Sequence, residues 1–262
     1  MEYIVVSLAA LVVSALTLFS GFGLGTLLMP VFAIFFPLKI AIASTAIVHL
    51  ANNLLKVSLL GKDADKKAVL CFGIPGIIFA LSGAYVLIFL SDLPPVTQYS
   101  IGSKMITITP IKMVIAILIF VFSLFDLLPY FEKISFPRKY LSLGGALSGF
   151  FGGLSGHQGA LRSAFLVKAG LEKEAFIGTG VVCAVLVDFS RLGVYGLSFF
   201  AKEFETLSVH GGVKLVATAT LAAFLGTFIG TRFIKKMTMS LIRQVVGGML
   251  LLLALALGIG WI

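Results

Sequence analysis

The 262-residue chain is 59% hydrophobic and only 12% charged, with a mean hydropathy of +1.12. That leaves too little polar surface for an ordinary soluble domain of this size and points to a membrane protein. The formal charge of +9 does not argue for nucleic acid, because Lys and Arg sit mostly in short connections between apolar runs, as in loops facing anionic headgroups.

At the start, Met1-Glu2-Tyr3 lacks the basic region of a signal peptide, and the apolar stretch behind it has no clear cleavage site. Tyr3–Phe36 is too long for one span and is interrupted at Ser20–Gly25, which predicts two short helices joined as a hairpin with its tip inside the protein. Pro37–Leu60, Ala68–Leu90 and Pro110–Leu128 each reach the roughly 20 residues a helix needs to cross a bilayer. Leu141–Lys168 is again too long and again broken by glycine, at Gly152–Gly159. Three further spans follow at Ala175–Phe199, Gly211–Ile234 and Met239–Trp261. The expected fold is an all-α integral membrane protein of two inverted repeats, residues 1–134 and 135–262. Each repeat is a Gly-broken helical hairpin followed by three transmembrane helices.

The halves also share residues. When Gly25 is laid on Gly159, Leu27, Lys39, Ala41, Thr45 and Val48 fall on Leu161, Lys173, Ala175, Thr179 and Val182. Gly-broken apolar segments in corresponding positions of two halves point to a transporter's binding site. Gly25 and Thr26 at one tip and Gly159 at the other are therefore expected close together near mid-membrane, with Thr179 in the same substrate-binding set.

Basic residues set the expected orientation. With each hairpin entering and leaving on one side, one face receives Lys56, Lys62, Lys66, Lys67, Lys133, Arg138, Lys139, Lys168, Lys173, Arg232, Lys235, Lys236 and Arg243. The other receives only Lys39, Lys104, Lys112, Lys202 and Lys214. The positive-inside rule makes the first face cytoplasmic and places both termini outside the cytoplasmic membrane.

Polar residues inside spans are costly and mark pathways by default. His49, Asn52, Asn53 and Lys56 are spaced three and four apart and form one stripe of a helix. His49, Asn52 and Asn53 are read as pathway lining, and Lys56, near the span's end, as snorkelling to the headgroups. In the second hairpin Ser155, Gln158 and Arg162 share a face, with His157 beside them. A half-helix starting at Gly159 would aim N–H groups and its positive dipole end at an anion. Arg162 could add a two-pronged contact to an oxyanion, or it could be paired with Asp188. Asp188, which the alignment lays on Leu54 beside Asn53, is the candidate coupling-ion site; Arg191, three residues on, could pair with it.

Enzyme chemistry has no foothold. The chain has no His-Glu-x-x-His, no phosphate-binding Gly-x-x-x-x-Gly-Lys-Ser/Thr and no Cys-x-x-Cys, and His49, His157 and His210 are too scattered for a metal site. Neither a cofactor nor a metal is expected, and Cys71 and Cys183 are read as free thiols in apolar runs.

Gly21-Phe22-Gly23-Leu24-Gly25, then Leu28-Met29-Pro30, then Pro37 and Ala41-Ile42-Ala43-Ser44-Thr45, resembles the TauE/SafE family of membrane proteins. The second copy is Ser155–Leu166 followed by Ala175-Phe176-Ile177-Gly178-Thr179, and the resemblance covers nearly the whole chain. It implies export or exchange of small sulfur-containing anions such as sulfite or organosulfonates. The chain departs from the family's pattern where Gly156-His157-Gln158-Gly159 replaces a near-continuous glycine run and Ala164 stands in place of the proline. The expected function is a secondary transporter for such an anion, with an anion channel or a carrier of another organic anion as the alternative.

Overall fold

The computed structural model describes residues 2–20, 23–102, 104–128, 130, 134–197, 212–233 and 239–261. Gly21, Phe22, Lys133, Lys202, His210, Lys235 and Lys236, which entered the sequence reading, lie outside the described residues.

The helices follow the apolar runs. They are α1 Glu2–Ser20, α2 Leu24–Phe35, α3 Leu38–Leu60, α4 Lys66–Ser91, α5 Pro110–Leu127, α6 Leu141–Ser155, α7 Gly159–Leu166, α8 Lys173–Tyr195, α9 Gly212–Phe233 and α10 Met239–Gly258. Among the described residues, five segments are apolar and long enough to cross a membrane: Leu38–Asp63, Lys66–Ser91, Pro110–Leu127, Lys173–Tyr195 and Gly212–Gly230. Large apolar side chains face outward on them, among them Ile74, Phe89, Ile117, Leu221 and Leu225, as a lipid-facing surface requires. The chain is an all-α multi-pass membrane protein.

Both breaks fall at the glycines. The first differs from the expected pair of short helices, since α1 runs for 19 residues, about 28 Å at helical rise, while α2 has only 12. In the second hairpin α6 has 15 residues and α7 only 8. At 1.5 Å per residue neither can cross a core about 30 Å thick. Gly156 ends α6 with φ of +84°, the left-handed C-terminal geometry that glycine adopts without strain.

One small element is not helical. Thr97–Ile101 (β1) and Lys104–Ile108 (β2) form an antiparallel hairpin between α4 and α5. The Tyr99 hydroxyl donates to the Ile259 carbonyl, which ties this hairpin to the residues after α10. Two ion pairs lie at opposite ends of α4: Arg138 Nη2, from the connection before α6, is 3.1 Å from Asp65 Oδ1, and Lys39 Nζ, from the first turn of α3, is 3.6 Å from Asp92 Oδ1.

Helix packing rests on small residues. In lipid there is little hydrophobic drive between helices, so association depends on close backbone approach. Gly145, Gly149 and Gly153 of α6 lie against the Phe72, Gly76 and Ala80 carbonyls of α4, and Gly226 of α9 lies against the Leu11 carbonyl of α1. A Cβ at Gly149 would stand 2.2 Å from the Gly76 oxygen. Gly149→Ala should therefore cost about 1–3 kcal/mol through overpacking, read as a lower unfolding temperature in detergent. Gly248→Ala, with nothing within 4 Å of the added carbon, is the control and should not lower it.

The most extensive helix pairings are α1 with α9 and α6 with α4; α3 with α9 and α8 with α4; α2 with α3; α3 with α8; and α5 with α10; α1 with α2, α6 with α7, α6 with α8 and α7 with α8 pack less extensively. Among the described residues, α3 and α8 carry nine of the nineteen buried polar side chains, and their crossing positions the candidate site.

Candidate functional site

Asp188 on α8 is fully buried and is the hub of a polar network. Arg191, one helical turn on, donates from Nε (3.0 Å) and Nη2 (2.7 Å) to Oδ1. Gln158 Nε2, at the tip of the second hairpin, donates to the same oxygen at 3.1 Å. Across the helix crossing, His49 Nδ1 stands 2.6 Å from Oδ2, and Asn53 Nδ2 donates to Oδ2 at 3.2 Å. Both carboxylate oxygens are thus fully engaged, which is the condition under which a charge survives burial.

Arg162 does not pair with Asp188. Its Nη1 donates to Gln158 Oε1 at 3.2 Å, so Gln158 stands between guanidinium and carboxylate. Arg162 lies on the first turn of α7 and is only 8% exposed.

Beside this network lies a cavity of about 490 Å³, its solvent-open part included. Its polar lining includes Thr17, His49, Asn53, Lys56, Arg162 and Ser163, with the backbone of Gly23 beside them. Gly23 and Leu24 bring the N-terminus of α2 to the wall, and no side chain caps it. An uncapped N-terminus and two cationic side chains favour an anion in this space. No carboxylate lines the cavity among the described residues.

Lys56 is where sequence reasoning missed. It was expected to snorkel to the headgroups, but it is only 5% exposed and faces the cavity. Its place on the same stripe as His49 and Asn53 was the available signal.

The tips of the two hairpins meet. A Cβ on Gly25 would stand 3.6 Å from the Gly156 carbonyl oxygen and 3.8 Å from His49 Cδ2. Thr26 is buried in the first turn of α2, and Gly159 is buried at the start of α7.

Three residues of the expected substrate-binding set point elsewhere. Asn52 is turned towards α1 and α9, where Nδ2 donates to Ser14 Oγ (3.1 Å) and Oδ1 accepts from Thr227 Oγ1 (2.8 Å). Thr179 accepts from the backbone N–H of Asp65 at 2.9 Å and so fastens the α3–α4 connection. His157 stacks on Phe122 with ring centroids 5.7 Å apart, and its Nδ1 lies 3.0 Å from Ser155 Oγ. The sequence reading groups them with the site, and none of the three lines the cavity.

No curated protein and no solved structure matches the chain. The family model described as sulfite exporter TauE/SafE matches residues 6–257, nearly the whole length, and the chain therefore belongs to that family of membrane transport proteins.

Proposed function

We propose that the protein is a secondary transporter that moves a small sulfur-containing anion, sulfite or an organosulfonate, across the cytoplasmic membrane by alternating access. The observation that carries this reading is the cavity, where buried Arg162 and Lys56 meet the N-terminus of α2. The family's printed name, sulfite exporter, supports the choice of anion.

The helix pairings support two inverted halves. Exchanging α1 with α6, α2 with α7, α3 with α8, α4 with α9 and α5 with α10 turns each of the most extensive pairings into another pairing or into itself, while α6 with α8 has no counterpart of like extent between α1 and α3. Such an exchange is expected of a two-fold axis between repeats, with the substrate near the repeat interface. Residues 1–134 and 135–262 are then the two repeats.

Contact between the Gly25 and Gly156 tips and the buried His49–Asp188 pair support a carrier over an open channel, because they join the two halves by close contacts beside the cavity. The cavity lining also reaches Lys56, near the end of α3, and Phe176 and Ile177, near the start of α8. Those helix ends belong to the basic face that the positive-inside rule assigns to the cytoplasm, so in this reading the cavity is reached from the cytoplasm and both termini lie outside.

A single introduced thiol tests the reading. Ser163→Cys, in a chain whose Cys71 and Cys183 are replaced by Ser, should react with a membrane-impermeant maleimide from the cytoplasmic face and be protected by saturating sulfite or sulfonate. Labelling from the outer face alone, or no protection by any such anion, contradicts it.

A further inference from the structure

We propose that the cavity takes a doubly charged anion, one charge against Arg162 and the other against Lys56, and selects against monoanions and zwitterions of similar size. The inference rests on the transport reading and adds the valence of the substrate.

It follows from comparing α3 with α8 position by position. Counted from their first residues, Leu38 and Lys173, Asn53 corresponds to Asp188 and Lys56 to Arg191. Both helices have 23 residues, and α2 and α7, starting at Leu24 and Gly159, give the same register. This differs by one from the alignment on residue identity, which laid Asp188 on Leu54. On α8 the carboxylate and the cation three residues later neutralise each other, at 2.7 Å. On α3 the carboxylate's place is taken by the neutral amide of Asn53. Lys56 is left, 95% buried, with no ion pair among the described residues.

Asp188 cannot serve both halves. Oδ1 already accepts from Arg191 and Gln158, and Oδ2 is taken by His49 and Asn53. Arg162 in turn has only the neutral Gln158 oxygen as a protein partner among the described residues. Two cationic side chains therefore share one cavity that no carboxylate lines.

A buried charge left without a partner is costly. A monoanion would match one cation and leave the other, and a zwitterion would bring an ammonium against them. A dianion matches both. The chemistry of the two ends also differs: the planar guanidinium suits the paired oxygens of a sulfonate or sulfite, while the compact ammonium accepts any small anionic head.

The test compares sulfoacetate with isethionate, which has a hydroxyl in place of the second anionic group, and with zwitterionic taurine. Dissociation constants are measured calorimetrically on the purified full chain in detergent. Sulfoacetate should bind at least about tenfold more tightly than either of the others, equivalent to ~1.4 kcal/mol. Lys56→Gln should bring the sulfoacetate-to-isethionate ratio towards one, Lys56→Arg should retain the preference, and saturable isethionate binding reports that the Gln variant is folded. Equal affinity for sulfoacetate and isethionate in the unaltered protein overturns the inference and leaves the transport reading standing. So does an undiminished preference in Lys56→Gln. Failure of both anions to bind the unaltered protein overturns the inference and the transport reading together.

Discussion

Arg162→Gln should weaken anion binding by ~2–5 kcal/mol, the range for removing one member of a buried, hydrogen-bonded charge pair. Arg162 is 92% buried and lines the cavity, and its side chain pairs with no carboxylate among the described residues. Its interaction with the substrate is therefore not weakened by a competing ion pair. Gln retains much of the length and removes the charge, so the loss should be in affinity while the protein still purifies as a folded species. Arg162→Lys should recover little, because one ammonium cannot reproduce a two-pronged contact to an oxyanion. Calorimetric titration with sulfite and an organosulfonate checks both variants. An unchanged dissociation constant in folded Arg162→Gln would assign Arg162 to the scaffold.

Asp188→Asn should be the most destabilising single change in the site. It removes the one negative charge between Arg191, fully buried, and His49, 1% exposed, and leaves a buried guanidinium without its counter-charge. Breaking a buried ion pair from one side typically costs about 3–5 kcal/mol. The cost should appear as a large drop in unfolding temperature in detergent. Combining Asp188→Asn with Arg191→Gln should recover part of the loss, because the second change removes the orphaned charge. If Asp188→Asn alone melts like the unaltered protein, the network does not hold the α3–α8 crossing together.

Much of this was legible in the sequence because the bilayer restricts the answer. Spans must be apolar and long, so the rough limits of five of the six expected full spans could be read directly; α10, in the sixth, is not among the five segments that are both apolar and long enough among the described residues. The glycine breaks stood out because Gly156 and its neighbours interrupt runs that would otherwise continue as helix. The network itself was partly legible: His49, Asn53, Gln158, Arg162, Asp188 and Arg191 were singled out by polarity alone and are brought together in one hydrogen-bonded network.

What escaped depends on partners. Asn52 and Asn53 are adjacent on a helix and so point about 100° apart, and only the fold decides that one meets α8 and the other α1 and α9. Gly145, Gly149 and Gly153 fit a small-residue packing spacing, but their use depends on α4 lying against them. The strands at Thr97–Ile101 and Lys104–Ile108 sit in a connection where hydropathy carries no signal for spans. Lys56 was misplaced because proximity to the end of a span was weighed above membership of the His49 stripe, and its lone charge emerges only when Asn53 is set against Asp188.

Counterflow in proteoliposomes tests the central claim most directly. Vesicles containing the purified protein are loaded with millimolar unlabelled sulfonate, diluted into labelled sulfonate, and followed over time. A carrier that alternates between two faces predicts transient, saturable accumulation of label above its equilibrium level, abolished by Arg162→Gln. Linear, non-saturating entry without such an overshoot would identify a channel, and no entry above that of protein-free vesicles would contradict the account altogether.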